Sequence, residues 1–143
     1  MKDERKTLDS VQDYYGRVLK TNQDLKTSVC CTGESPAPHM REILKDIHPD
    51  VIARSYGCGS PIPPELAGQT VLDLGSGAGR DCFILSKLVG SIGRVIGVDM
   101  TPEMLDKARE NVSRGNYGNV EFRLGEIENL PVADATADIV ISN

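Results

Sequence analysis

At 143 residues the chain has the length of about one domain, with enough residues for a single core. The 16 Lys+Arg against 21 Asp+Glu leave a formal charge of -5. No basic run is present to follow a phosphate backbone or an anionic bilayer, so neither nucleic acid nor membrane is an expected partner. Met1 to Lys6 is charged, with no apolar stretch behind it, and nowhere do about eighteen consecutive apolar residues occur that could span a bilayer. The chain reads as cytoplasmic, a compartment that keeps its four cysteines, Cys30, Cys31, Cys58 and Cys82, as thiols.

In chain order, Leu8, Val11, Tyr15, Val18 and Leu19 recur at the spacing of one helical face and predict a helix over 8–19. Residues 27–38 mix Thr, Ser, Gly and Pro around Cys30 and Cys31 and predict a loop. Met40, Ile43, Leu44 and Ile47 predict a second helix, and Pro49 can open a short third one because a first turn does not need its missing N–H. His39 and His48 fall beside this helix and read as solvated surface. Tyr56 to Pro61 is turn-rich and holds Cys58. From about residue 65 the pattern changes. Val71 to Leu74 predicts a strand, Gly75 to Gly79 a turn, and Phe83 to Leu88 a helix. Arg94 to Val98 gives a second strand leading to Asp99, and Thr101-Pro102 reads as the cap and first residue of a helix that buries Met104, Leu105, Ala108 and Val112. Val120 to Leu124 and 137–142 give a third and a fourth strand around the turn at Asn129–Pro131. Alternating strands and helices predict a parallel, doubly wound α/β sheet. The expected division is a helical N-terminal segment with cysteine loops (1–64) and a Rossmann-like domain (65–143).

Glycines 75, 77 and 79 between strand and helix allow close approach of a ligand to the backbone and direct helix N-terminal N–H groups toward it. Many sharp strand-to-helix turns are rich in glycine for no other reason than the turn itself. Arg80 stands where the dinucleotide fingerprint requires its third glycine, which argues against NAD and FAD. Asp99, at the end of the second strand, is placed to accept hydrogen bonds from ribose hydroxyls, or serves only as a charge near a helix start. The segments D-L-G-S-G-A-G-R-D (73–81), V-D-M (98–100) and D-I-V-I-S-N (138–143) resemble class I S-adenosylmethionine-dependent methyltransferases. The resemblance implies S-adenosylmethionine as cofactor. Asp73, Gly75, Ser76, Gly77 and Gly79 would then face its methionine moiety, Asp99 and Met100 its ribose and adenine, Glu126 or Ile127 the adenine edge, and Asn143 the end of the fourth strand beside it.

A shared sheet does not define a substrate, so the cysteines have to be considered next. Cys30 and Cys58 lie in separate Gly/Pro/Ser-rich loops, where thiols can remain accessible and converge on one soft ion; equally, free cysteines can be small buried hydrophobes. V-Q-D-Y-Y-G-R-V-L (11–19), C-C-T-G (30–33), Y-G-C-G-S (56–60) and G-R-D-C (79–82) resemble arsenite methyltransferases, and the likeness runs over nearly the whole chain. It implies that three thiolates hold As(III), that Cys30 and Cys58 are two of them, with Cys31 competing for the register of the first, and that a small thiol serves as reductant. It also implies that Tyr14, Tyr15 and Gly16 belong to a segment closing over the cofactor. Cys82, on the helix after the glycine loop, reads as packing.

The third arsenic-binding cysteine of that family is expected directly after Ser142-Asn143, and the fourth strand, normally interior, ends this sequence. The expectation is a truncated sheet whose Ile139, Val140 and Ile141 invite a covering partner, with weak cofactor binding and little or no arsenite turnover by the isolated chain. Two other readings share these residues: a class I methyltransferase of a small organic substrate, and a noncatalytic, thiol-based As(III)-binding remnant.

Overall fold

The computed structural model describes residues 2–24, 37–56 and 59–143. Cys30, Cys31 and Cys58 lie outside the described residues. The first helix, α1, spans Lys2–Asp13 and passes into a π-helical turn over Tyr14–Val18. It begins about two turns earlier than the apolar spacing suggested, because the charged residues before Leu8 are good helix formers with no breaker among them. α2 (Pro38–Lys45) and α3 (Pro49–Ala53) follow, both opened by proline. His48 precedes α3 and its Nδ1 accepts from the Asp50 N–H at 3.2 Å, so this surface histidine caps a helix.

The sheet then forms from β1 (Thr70–Leu74), β2 (Arg94–Asp99), β3 (Val120–Leu124) and β4 (Ile139–Ser142), joined by α4 (Arg80–Val89) and α5 (Pro102–Arg114). Its order is β3-β2-β1-β4 and every pairing is parallel. The chain thus steps outward from β1 through β2 to β3 and returns to the far side of β1. That reversal makes a topological switch point between β1 and β4, the place where open α/β sheets bind ligands beyond their carboxyl ends. β3 and β4 are joined by a turn region with one isolated bridge, Glu126 to Asn129, and no helix.

Successive crossovers in one direction put α4 and α5 on the same face of the sheet. Against that face the helices pack Phe83, Ile84, Leu85, Met104, Leu105 and Ala108 onto Val71 and Val95, and Met40, Ile47 and Val51 from α2, α3 and the segment between them complete the cluster. Phe83, with no exposed surface, packs on Tyr117 with the rings tilted (centroids 4.4 Å apart) and meets Phe122 edge-on at 5.7 Å. The other face carries a smaller cluster, Leu72, Ile96 and Val98, covered by Leu130, Val132 and Ala137 from the β3–β4 connection. Helices on both faces were expected; among the described residues α2 to α5 share one face.

At its edges the sheet is treated differently. Along β3, Glu121 pairs with Arg94 and Arg123, charges that discourage further strand pairing. On β4, Val140 is 56% exposed while Ile141 is buried. No helix among the described residues is long and apolar enough to cross a membrane.

Candidate functional site

A cleft opens at the carboxyl ends of the strands. The turn after β1 supplies Gly75, Ser76, Gly77 and Ala78, the start of α4 supplies Arg80 and Asp81, the end of β2 supplies Asp99, Met100 and Thr101, the turn after β3 supplies Gly125, Ile127 and Glu128, and Asn143 follows β4. α1 and its π-helical turn close one side through Leu8, Val11 and Tyr15, and Arg54, Ser55 and Tyr56 contribute from the segment after α3.

Why the turn after β1 takes this shape follows from its glycines. Gly75, Gly77 and Gly79 all have positive φ (+73°, +55° and +93°), a region that side chains disfavour. At Gly75 and Gly77 a Cβ would meet nothing within 4 Å, so the backbone is bare toward the cleft; at Gly79 it would collide with Phe122 Cζ at 2.5 Å. Two of the glycines therefore leave space for a ligand, and the third lets α4 close onto the sheet. Asp99 ties the turn down. Its Oδ2 accepts from the Gly77 N–H and its Oδ1 from the Thr101 N–H, both at 2.8 Å. Thr101 occupies the cap position of α5 as expected, but its side chain makes no capping bond; the carboxylate two residues earlier takes the orphan N–H instead. A carboxylate offers about four lone-pair sites, so Asp99 still has acceptors to give.

Asp73 lies beneath the same turn, 2% exposed, and accepts from the Cys82 thiol, Sγ to Oδ2 3.3 Å. Burial above all, and then the nearby carboxyl of Asp81, push its pKa up to about 7, with Asp99 adding to the rise and the thiol opposing it. Asp81 is held by Arg80 (2.9 Å) and by Asn143 Nδ2 (3.1 Å). The folded chain therefore keeps a proton on Asp73 that the unfolded chain releases near pH 3.8. The stability this group contributes is fully present below about pH 4 and lost as pH rises to about 7, amounting to about 2–4 kcal/mol. Urea unfolding from about pH 4 to 8 should show that decline in the parent relative to Asp73→Asn, a comparison in which the other carboxylates cancel; parallel profiles would overturn the assignment.

Of the residues singled out from sequence, Tyr15, Asp73, Gly75, Ser76, Gly77, Asp99, Met100, Ile127 and Asn143 line this cleft. Four stand off its wall. Tyr14 turns to an outer groove of α1 and meets Tyr15 edge-on at 5.4 Å. Gly16 lies where a Cβ would press on Thr101 Cγ2 (2.8 Å) and Glu103 Oε2 (2.9 Å), so it allows the π-helical turn to dock on α5. Gly79 is taken up by packing, and Glu126 faces a neighbouring groove, 3.7 Å from Arg5. Sequence reading missed Leu8, Arg54, Tyr56 and Asp81. Asp81 was the most accessible to it, as an acidic residue in the first turn of a helix after a glycine loop. Cys30, Cys31 and Cys58 fall outside the described residues, and Cys82 is buried in the main core.

The cleft suits a cationic ligand with an apolar ring. Three carboxyl groups, Asp73, Asp81 and Asp99, surround it, Met100, Met104 and Ile127 supply apolar wall, and the Ser76 hydroxyl is buried beside it with no partner among the described residues. Together with the strand order, this defines a class I, S-adenosylmethionine-dependent methyltransferase fold. The chain belongs to the methyltransferase-domain family, which matches it over residues 65–143. It is 48% identical over 142 residues to an arsenite methyltransferase of Aquipseudomonas alcaligenes, an alignment covering 94% of this chain and 41% of that protein. With the arsenite methyltransferase of Mus musculus it shares 46% identity, covering 93% of this chain and 38% of the relative. The crystal structure of an arsenic (III) S-adenosylmethionine methyltransferase from Chlamydomonas reinhardtii superposes with a TM-score of 0.71 at 43% identity, over 76% of this chain and 40% of that one. The chain therefore spans about two-fifths of the length of the relatives it matches.

Proposed function

We propose that this chain is the cofactor-binding and first substrate-capturing part of an arsenite methyltransferase. The observation that carries the reading is the reach of the likeness. Identity to the arsenite methyltransferases covers 93–94% of the chain, and so extends well ahead of residue 65, where the general methyltransferase family match begins. That leading segment holds Cys30 and Cys58.

The buried, unpartnered Ser76 hydroxyl, the bare backbone at Gly75 and Gly77, and the spare acceptors of Asp99 suit S-adenosylmethionine. Asp99 would hold the ribose, Met100 and Ile127 the adenine, and Asp73 with the turn after β1 the methionine end. When bound, the cofactor supplies an electrophilic methyl group on sulfonium, to be taken by the lone pair of As(III). The part of the chain is capture and orientation: thiolates of Cys30 and Cys58, or of Cys31 in place of Cys30, are soft donors matched to As(III) and fix its direction of approach. Tyr15 and α1 cover the cleft on one side and limit water there. A small thiol is the proposed reductant.

Calorimetric titration of the reduced chain with S-adenosylmethionine, followed by As(III), tests this. Saturable binding of both is expected. Cofactor binding without As(III) binding would favour a methyltransferase of a small organic substrate, and As(III) binding by a folded chain that ignores millimolar cofactor would favour a thiol module without catalysis.

A further inference from the structure

The cofactor reading leaves one buried nucleophile without a task. Cys82 lies in the first turn of α4 with no exposed surface, and its thiol reaches Asp73 Oδ2 at 3.3 Å. Among the described residues no other donor reaches that carboxyl group. The charged groups around Asp73 are Asp81 on α4 and Asp99 at the end of β2; Arg80 is turned to Asp81, and Arg54 lines the same cleft. The cleft independently signals a ligand here, because Ser76, 9% exposed, lines it and carries a buried hydroxyl with no partner among the described residues.

We propose that Cys82 is a positioning residue of the cofactor site, its buried thiol holding the Asp73 carboxylate in place to receive a cationic group of S-adenosylmethionine. The proposal rests on the cofactor reading above. A thiol suits the task because of what it does not do. Lysine or arginine in its place would fix the carboxylate more firmly but cancel the negative charge that attracts the ligand, and an apolar side chain would leave both oxygens free to turn. The weak S–H donor orients one oxygen and leaves the charge in place. Burial and the neighbouring carboxyl groups raise the thiol's pKa well above its ordinary value, so it remains a donor and does not ionise beside Asp73.

S-adenosylmethionine titrations of the parent, Cys82→Ser and Cys82→Ala from about pH 5.5 to 8.5 separate this role from packing. Ligand affinity should rise with pH as Asp73 ionises. Removing the donor in Cys82→Ala raises the midpoint of that rise and weakens affinity at pH 7 by about three- to tenfold, the worth of one modest hydrogen bond. Cys82→Ser, with a stronger donor, moves the midpoint down and so raises affinity at pH 7 above that of the parent. Equal weakening in both variants with unmoved midpoints would show that the thiol only fills space, and would overturn the proposal. Should the alanine variant fail to fold, an unmoved midpoint in the serine variant would do the same. A parent that binds no cofactor overturns the cofactor reading and the role of Cys82 with it, whereas a binding parent with unshifted variants overturns the role of Cys82 alone.

Discussion

Replacing Cys30 and Cys58 together with serine is expected to weaken As(III) binding by more than about a hundredfold to ten-thousandfold, since that factor is the advantage two joined binding groups have over one and the pair variant keeps neither. The proposed capture depends on thiolates, whose soft, polarisable sulfur matches a soft ion, and a serine hydroxyl is a hard donor that stays protonated at neutral pH. Affinity for S-adenosylmethionine should be unchanged, because the cleft is built from β1 to β4, α1 and the segment after α3. Single serine variants should each lose less than the pair, and comparing Cys30→Ser with Cys31→Ser decides the register of the first ligand. Calorimetry with As(III) on the reduced proteins is the measurement. A double variant that binds As(III) like its parent would remove the arsenic reading and leave a methyltransferase with incidental cysteines.

Asp99→Ala should have the second largest effect, on fold and ligand together. It strands the N–H groups of Gly77 and Thr101, each now held at 2.8 Å. An unsatisfied donor in a partly buried place costs about 1–3 kcal/mol, so a loss of about 2–6 kcal/mol is expected for the pair. Thr101 offers no relief, since its own side chain makes no capping bond. Affinity for S-adenosylmethionine should fall by about a hundredfold, since the variant loses the ribose acceptors and releases the turn that frames the ligand. Asp99→Asn has one oxygen acceptor where the carboxylate has two and should recover about half of the stability. Urea unfolding and calorimetry read the two effects separately. An alanine variant within about 0.5 kcal/mol of the parent, the range of an ordinary surface change, would mean that the carboxylate does not anchor this turn.

Much of this was legible in the residues alone, for a physical reason. A strand, a glycine turn and a helix are local patterns written within a few residues of one another, and β1 to β3, α4 and α5 lie close to where those patterns put them. The order of the segments likewise implied a parallel sheet. Asp99 was legible as a candidate because it ends a strand, but its grip on Gly77, 22 residues earlier, was not.

What only the tertiary structure decided is which side chain of each candidate pair faces the cleft. Tyr15 and Ile127 do, while Tyr14 and Glu126 do not. The difference is one residue of helical phase or loop direction, set by how α1 and the β3–β4 connection dock, and no local spacing encodes it. Contacts across the fold had the same character: the thiol of Cys82 on Asp73, the amide of Asn143 on Asp81, and Arg54 and Tyr56 drawn in from ahead of the sheet. The sequence by itself determined the class of fold, the glycine turn and the candidate residues around that turn. The packing of distant segments around the switch point between β1 and β4 decided which of those residues share one site, because that depends on contacts between parts of the chain that carry no record of each other.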